Sequence, residues 1–89
     1  MAKKILVIDD EADVLQIVRA VLTTKGYEVA EARGGEEGLE KAKVSKPDLI
    51  VCDLMMPRVS GLEVIKRLRK DETLRSVPLI VLSALGDEE

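Results

Sequence analysis

With 89 residues, 9.8 kDa, 46% hydrophobic and 35% charged residues, the chain is one globular domain at most, neither disordered nor fibrous. No apolar run approaches the roughly 20 residues of a membrane span, no signal-peptide pattern follows Lys3 and Lys4, and one cysteine with no histidine excludes a disulfide framework and the usual zinc sites, which points to the cytoplasm. The net charge of −3 comes from 17 acids and 14 bases; without Asp9, Asp10 and Asp53 the two balance, leaving no basic face for nucleic acid and no polybasic patch for a membrane.

Ile5-Leu6-Val7-Ile8 is the first of three unbroken apolar runs rich in β-branched residues; the others are Leu49-Ile50-Val51-Cys52 and Leu79-Ile80-Val81-Leu82. Such runs suit strands buried on both faces of a parallel sheet. From Ala12 to Lys25, Val14, Leu15, Ile17, Val18, Val21 and Leu22 recur at helical spacing, and Gly26 stands where a helix-ending glycine belongs. Tyr27 to Ala30 reads as a weaker strand. Gly35 to Val44 reads as a second helix, with Leu39 and Ala42 inward, and Pro47 fixes the turn that follows. Leu62, Val64, Ile65 and Leu68 mark a third helix reaching about Lys70, and Pro78 opens the last strand. The order β-α-β-α-β-α-β predicts a doubly wound parallel sheet with helices on both faces. Gly86-Asp87-Glu88-Glu89 reads as a turn and a helix start with no helix behind it, as if cut from a longer chain.

Ligands of open α/β sheets bind outside the carboxyl ends of the strands. Here those ends carry Asp9-Asp10, Asp53 and Ser83-Ala84. With strand order 2-1-3-4 the first and third strands are neighbours, so the three carboxylates converge. Their mutual repulsion calls for a hard divalent cation, and Mg²⁺, which takes one or two carboxylates and keeps several waters, fits best. Each residue alone has a plainer reading. Asp10 reads as a helix N-cap, Asp9 and Asp53 as polar strand ends, and Ser83 as a hydroxyl bonded to local backbone. Cys52 reads as core, Met55 and Met56 as packing residues, and Arg33-Gly34-Gly35-Glu36-Glu37-Gly38 as a loop and helix start, since it lacks the spacing of a nucleotide cradle.

Ile8-Asp9-Asp10-Glu11, Asp53-Leu54-Met55-Met56-Pro57 with Gly61 eight residues past Asp53, and Ser83-Ala84, in that order and spacing, resemble the receiver domains of two-component response regulators. The resemblance covers essentially the whole chain. It implies a flavodoxin-like fold and an acceptor of phosphoryl groups, with Asp53 taking the phosphoryl group as an aspartyl phosphate. Asp10, Asp53 and the Met55 carbonyl would hold Mg²⁺, Asp9 would reach it largely through water, and Ser83 would bond a phosphoryl oxygen beside the small Ala84. The donor would be a phosphohistidine on a sensor histidine kinase or histidine phosphotransfer protein. Family members continue through a fourth helix, a fifth strand and a fifth helix, which carry a site lysine and a switching aromatic. The resemblance therefore implies a receiver over residues 1–89 that is truncated after its fourth strand. Tyr27, on the second strand, cannot replace that aromatic.

Two other functions compete. A self-associating structural fragment without phosphotransfer would use the exposed fourth strand, or exchanged elements, to form a homo-oligomer. A hydrolase of the haloacid-dehalogenase kind would need a second acid two residues after its nucleophile, where this chain has Met55.

Overall fold

The computed structural model describes residues 2–82. Its elements are β1 (Lys4–Ile8), α1 (Ala12–Thr24), β2 (Glu28–Ala32), α2 (Gly35–Ser45), β3 (Leu49–Asp53), α3 (Gly61–Lys70) and β4 (Leu79–Leu82). The four strands are parallel in the order β2-β1-β3-β4. This is the doubly wound, flavodoxin-like arrangement expected of the sequence.

The two central strands explain the unbroken apolar runs. Ile5 and Val7 of β1 join Val29 of β2, Val51 of β3 and Leu15 of α1 in one core layer. Leu6 and Ile8 of β1 join Ile50 and Cys52 of β3 with Leu39 and Ala42 of α2, Val64 and Leu68 of α3, and Met56 and Leu74 in the other. A strand covered on both faces has no position left for a polar side chain, so its sequence loses the alternation of a half-buried strand.

Several boundaries and faces differ from expectation. The second strand starts at Glu28, not Tyr27, and runs to Ala32. Tyr27 donates its N–H to Leu22 O of α1 at 3.1 Å, which ties it to the helix end; Glu28 N then bonds Lys3 O at 2.9 Å and the ladder begins. Gly26, between the end of α1 and Tyr27, has φ +92°, a conformation that favours glycine. The apolar arc of α1 is wider than the face it buries. Leu15 is buried, Val14, Val18 and Leu22 are half-buried, and Ile17 and Val21 are 65% and 51% exposed. In α3, Val64 and Leu68 are buried but Leu62 lies outside the core. Met56 packs in the core as expected, whereas Met55 is 71% exposed and lies outside it. Among the described residues β4 is an edge strand with Ile80 and Val81 exposed, so its apolar run is not buried on both faces there.

Candidate functional site

The parallel register builds the site. Ile8 of β1 lies opposite Cys52 of β3, so the next residue of each chain segment, Asp9 and Asp53, emerges side by side at the carboxyl edge. Asp53 is still within β3, opposite Leu82 of β4, and the ladder continues one step further as Leu54 N donates to Leu82 O at 3.2 Å. On the other side Asp9 N donates to Ala32 O at 3.0 Å, holding the β1 exit against β2. Asp10 follows in the loop to α1. One carboxylate oxygen from each of Asp9, Asp10 and Asp53 lies within 4.8 Å of the others.

Local hydrogen bonds fix two of the three acids. Asp9 Oδ1 accepts the Glu11 N–H at 2.9 Å, and Asp53 Oδ1 accepts the Met55 N–H at 3.1 Å. The N-cap position of α1 is Glu11, which makes no side-chain cap bond. Asp10 therefore does not serve as the N-cap, and its carboxylate accepts no hydrogen bond among the described residues. The carbonyl of Met55 likewise accepts none among them. The loop that carries it is pinned where Gly61 N donates to Leu54 O at 3.1 Å, and α3 is capped by the Ser60 hydroxyl, which accepts the Glu63 N–H at 3.3 Å. Ser60-Gly61-Leu62-Glu63 has the spacing of a capping box, a readable sign of this helix start.

Gly61 is held to a glycine by contact with the site itself. A Cβ there would overlap the Asp53 carbonyl oxygen and stand 2.6 Å from Leu54 Cα. The start of α3 thus presses directly on the backbone that presents Asp53.

The electrostatics follow from burial and crowding. Asp9 and Asp53 are 3% and 7% exposed, and Asp10 is half-buried. Burial pushes the Asp9 carboxyl above its ordinary value of 3.8; the Glu11 N–H opposes this, and the charges of Asp53, Asp10 and Glu11 add to the rise. Burial, then Asp53 and Asp9, pushes the Cys52 thiol up to about 11, so it is a protonated core residue at neutral pH. Three acids with converging oxygens suit a hard, oxygen-seeking cation: ligands on opposite sides of Mg²⁺ stand about 4 Å apart. Ser83 and Ala84, and the helix-start pattern at Gly86 to Glu89, lie outside the described residues.

Comparison with known proteins agrees with this architecture. The response regulator receiver domain family matches residues 5–89. The alkaline phosphatase synthesis transcriptional regulatory protein PhoP of Bacillus subtilis is 44% identical over 88 residues, which is 99% of this chain and 36% of PhoP. The polar-differentiation response regulator DivK of Brucella ovis is 40% identical over 92 residues, covering 100% of this chain and 75% of DivK. The chain thus spans about a third of one relative and three quarters of the other. The crystal structure of a putative response regulator from Chloroflexus aurantiacus superposes with a TM-score of 0.92 at 33% identity, covering 98% of this chain and 71% of that one. Sheet order, the acids at the strand ends and the family match over residues 5–89 converge on one assignment: the chain belongs to the response regulator receiver domains.

Proposed function

We propose that the chain accepts a phosphoryl group on Asp53, from a phosphohistidine of a sensor histidine kinase or histidine phosphotransfer protein, with Mg²⁺ bound at the acid trio. The reading treats residues 1–89 as one receiver unit, a signalling domain rather than a turnover enzyme, acting in the cytoplasm. Its main support is the convergence of Asp9, Asp10 and Asp53 within 4.8 Å at the carboxyl edge of the sheet. A bound Mg²⁺ would supply positive charge for the developing phosphoryl charge, which such loose transition states need more than covalent chemistry. Asp10, Asp53 and the Met55 carbonyl would hold the ion directly, with Asp9 reaching it through water.

The residues divide the remaining work. Asp53 is the nucleophile: a carboxylate oxygen attacks phosphorus and the bond from phosphorus to the histidine nitrogen breaks. Its Oδ1 is already oriented by the Met55 N–H, which leaves the other oxygen for attack. Asp9 is anchored by the Glu11 N–H beside Asp10 and Asp53. Ser83 would bond a phosphoryl oxygen.

The test is incubation with a phosphorylated histidine phosphotransfer protein, read by intact mass. A gain of one phosphoryl group is expected with Mg²⁺, and loss of that gain with a chelator or in Asp53→Asn. Labelling that survives in Asp53→Asn would place the acceptor elsewhere.

A second reading rests on its own observation. Among the described residues, Ile17, Val21, Ile80 and Val81 are exposed and β4 is a sheet edge. We infer from this that the chain associates with copies of itself, a property compatible with the first reading or able to stand alone.

A further inference from the structure

The two outer strands of the sheet present their free edges differently. In β2, Glu28 N donates to Lys3 O and Ala32 O accepts from Asp9 N, so these residues turn their backbone groups toward β1. Val29 and Glu31, which alternate with them, turn theirs to the outer edge. Long cations from two helices take both outward carbonyls. Arg19 of α1 donates from Nη1 to Val29 O at 3.4 Å and to the Glu31 carboxylate at 3.1 Å. Lys41 of α2 donates to Glu31 O at 2.6 Å. α1 packs on the sheet face that carries Ile5, Val7 and Val29, and α2 on the face that carries Leu6 and Ile8. The two cations therefore close on the β2 edge from opposite faces. β4 is treated otherwise. Ile50 N donates to Pro78 O and Leu54 N to Leu82 O, which leaves Leu79 and Val81 facing outward. Among the described residues, no side chain donates to the carbonyls of these two.

We propose that Arg19 and Lys41 close the β2 edge to a strand from a second copy of the chain, so that self-association through β4 stops at a pair. The inference rests on the second reading above, that copies of the chain associate, and adds which edges meet and what limits them. A strand joining β2 would have to lay its own N–H groups on Val29 O and Glu31 O, displacing two charge-assisted hydrogen bonds. It would also cover the two half-exposed cations and leave them to find new partners. Charged side chains, lysine above all, protect sheet edges in this way. With β2 closed, the edge that a second copy can offer to β4 is, among the described residues, its own β4. Two β4 strands that meet across a two-fold axis run antiparallel, consume both free edges and close the assembly. An open β2 would instead take the β4 of the next copy in parallel. That contact is head-to-tail, leaves a free edge at each end and repeats without limit.

The experiment follows mass by light scattering over a range of chain concentrations, with far-UV circular dichroism alongside. It compares the parent with Arg19→Ala, Lys41→Ala and with Arg19→Lys, Lys41→Arg. Both positions are exposed and lie within helices, which alanine preserves. The alanine pair leaves 17 acids against 12 bases and takes the net charge from −3 to −5, a change that by itself opposes association. The parent mass is expected to level off at twice 9.8 kDa. The alanine pair is expected to pass that limit and keep growing with its circular dichroism unchanged, and the cation-swapped pair to stop where the parent does. A parent that itself grows past two copies would overturn the closure. So would an alanine pair that stops at the parent's limit, or that grows only as its native circular dichroism is lost. A parent that stays at 9.8 kDa at every concentration would instead refute the β4 contact. The closure then stands if the alanine pair alone associates, and falls if that pair is monomeric too.

Discussion

Asp9 is the most enclosed acid of the trio, and its burial beside two like charges is unfavourable without a cation. Its carboxyl is raised above 3.8, first by burial and then by Asp53, Asp10 and Glu11 against the pull of the Glu11 N–H. Between 3.8 and its raised value the folded chain binds more protons at this residue than the unfolded chain does. Stability of the metal-free protein therefore falls as pH rises through that window, and this penalty is absent below 3.8. Asp9→Asn removes the charge but keeps an oxygen to accept the Glu11 N–H. In a chelator at neutral pH the variant should melt above the parent, and the gap should close as the pH approaches 4. With saturating Mg²⁺ the order should reverse, because the parent gains binding free energy that the variant has lost. Thermal melts at the two pH values, with and without Mg²⁺, decide the matter. A variant that melts lower than the parent in chelator at neutral pH would remove the crowding account.

At the scale of elements, the coupling between α3 and the site makes its own prediction. Gly61→Ala places a Cβ against the carbonyl oxygen of Asp53 and the Cα of Leu54, both backbone atoms that cannot rotate aside. Overpacking of this kind costs about 1–3 kcal/mol. Because the strained atoms lie in the backbone of Asp53 and of Leu54 next to it, Mg²⁺ affinity should weaken along with stability. Gly34→Ala is the control, since a Cβ there meets nothing within 4 Å. Urea unfolding and a Mg²⁺ titration followed by amide NMR would test both; unaltered Mg²⁺ affinity in Gly61→Ala would uncouple the helix from the site. The same elements show what a sequence can and cannot carry. β1 and β3 were legible because cover on both faces leaves only apolar residues in them. The convergence of Asp9, Asp10 and Asp53 was legible because parallel strands bring their ends to one edge. β2 was misplaced at both ends because an edge strand tolerates Glu28 and Glu31, which blurs its limits, while Tyr27 belongs to the helix turn by a bond to Leu22. The open cleft that Arg33 and Arg58 line between the β2–α2 and β3–α3 loops had no sequence signal, since the two lie on loops that meet only after the sheet has formed.

Over the whole molecule, the unresolved tension is between a well-covered centre and uncovered margins. β1 and β3 are sealed by α1 on one face and by α2 and α3 on the other, yet Ile80 is 51% and Val81 39% exposed on β4, one on each face of the sheet. The outer edge of β4 also presents backbone groups with no strand beside them among the described residues. Apolar side chains on a free edge invite pairing with another chain, and lysine on such an edge opposes it. Ile17 and Val21 form a separate apolar stretch along α1, one turn apart. The two regions can be told apart by charge. Ile80→Lys with Val81→Lys blocks edge pairing, while Ile17→Lys with Val21→Lys blocks association through the helix. All four side chains are substantially exposed, so each pair of changes should cost about 1 kcal/mol or less of stability. Light scattering at micromolar concentrations should give the parent a mass above 9.8 kDa that grows with concentration. The β4 variant should return to the monomer mass with an unchanged circular dichroism spectrum, and the α1 variant should not. The opposite pattern would assign the contact to α1. A monodisperse, folded parent of 9.8 kDa would mean that the exposed apolar residues do not drive association, and that phosphoryl acceptance must be explained by the chain as a monomer.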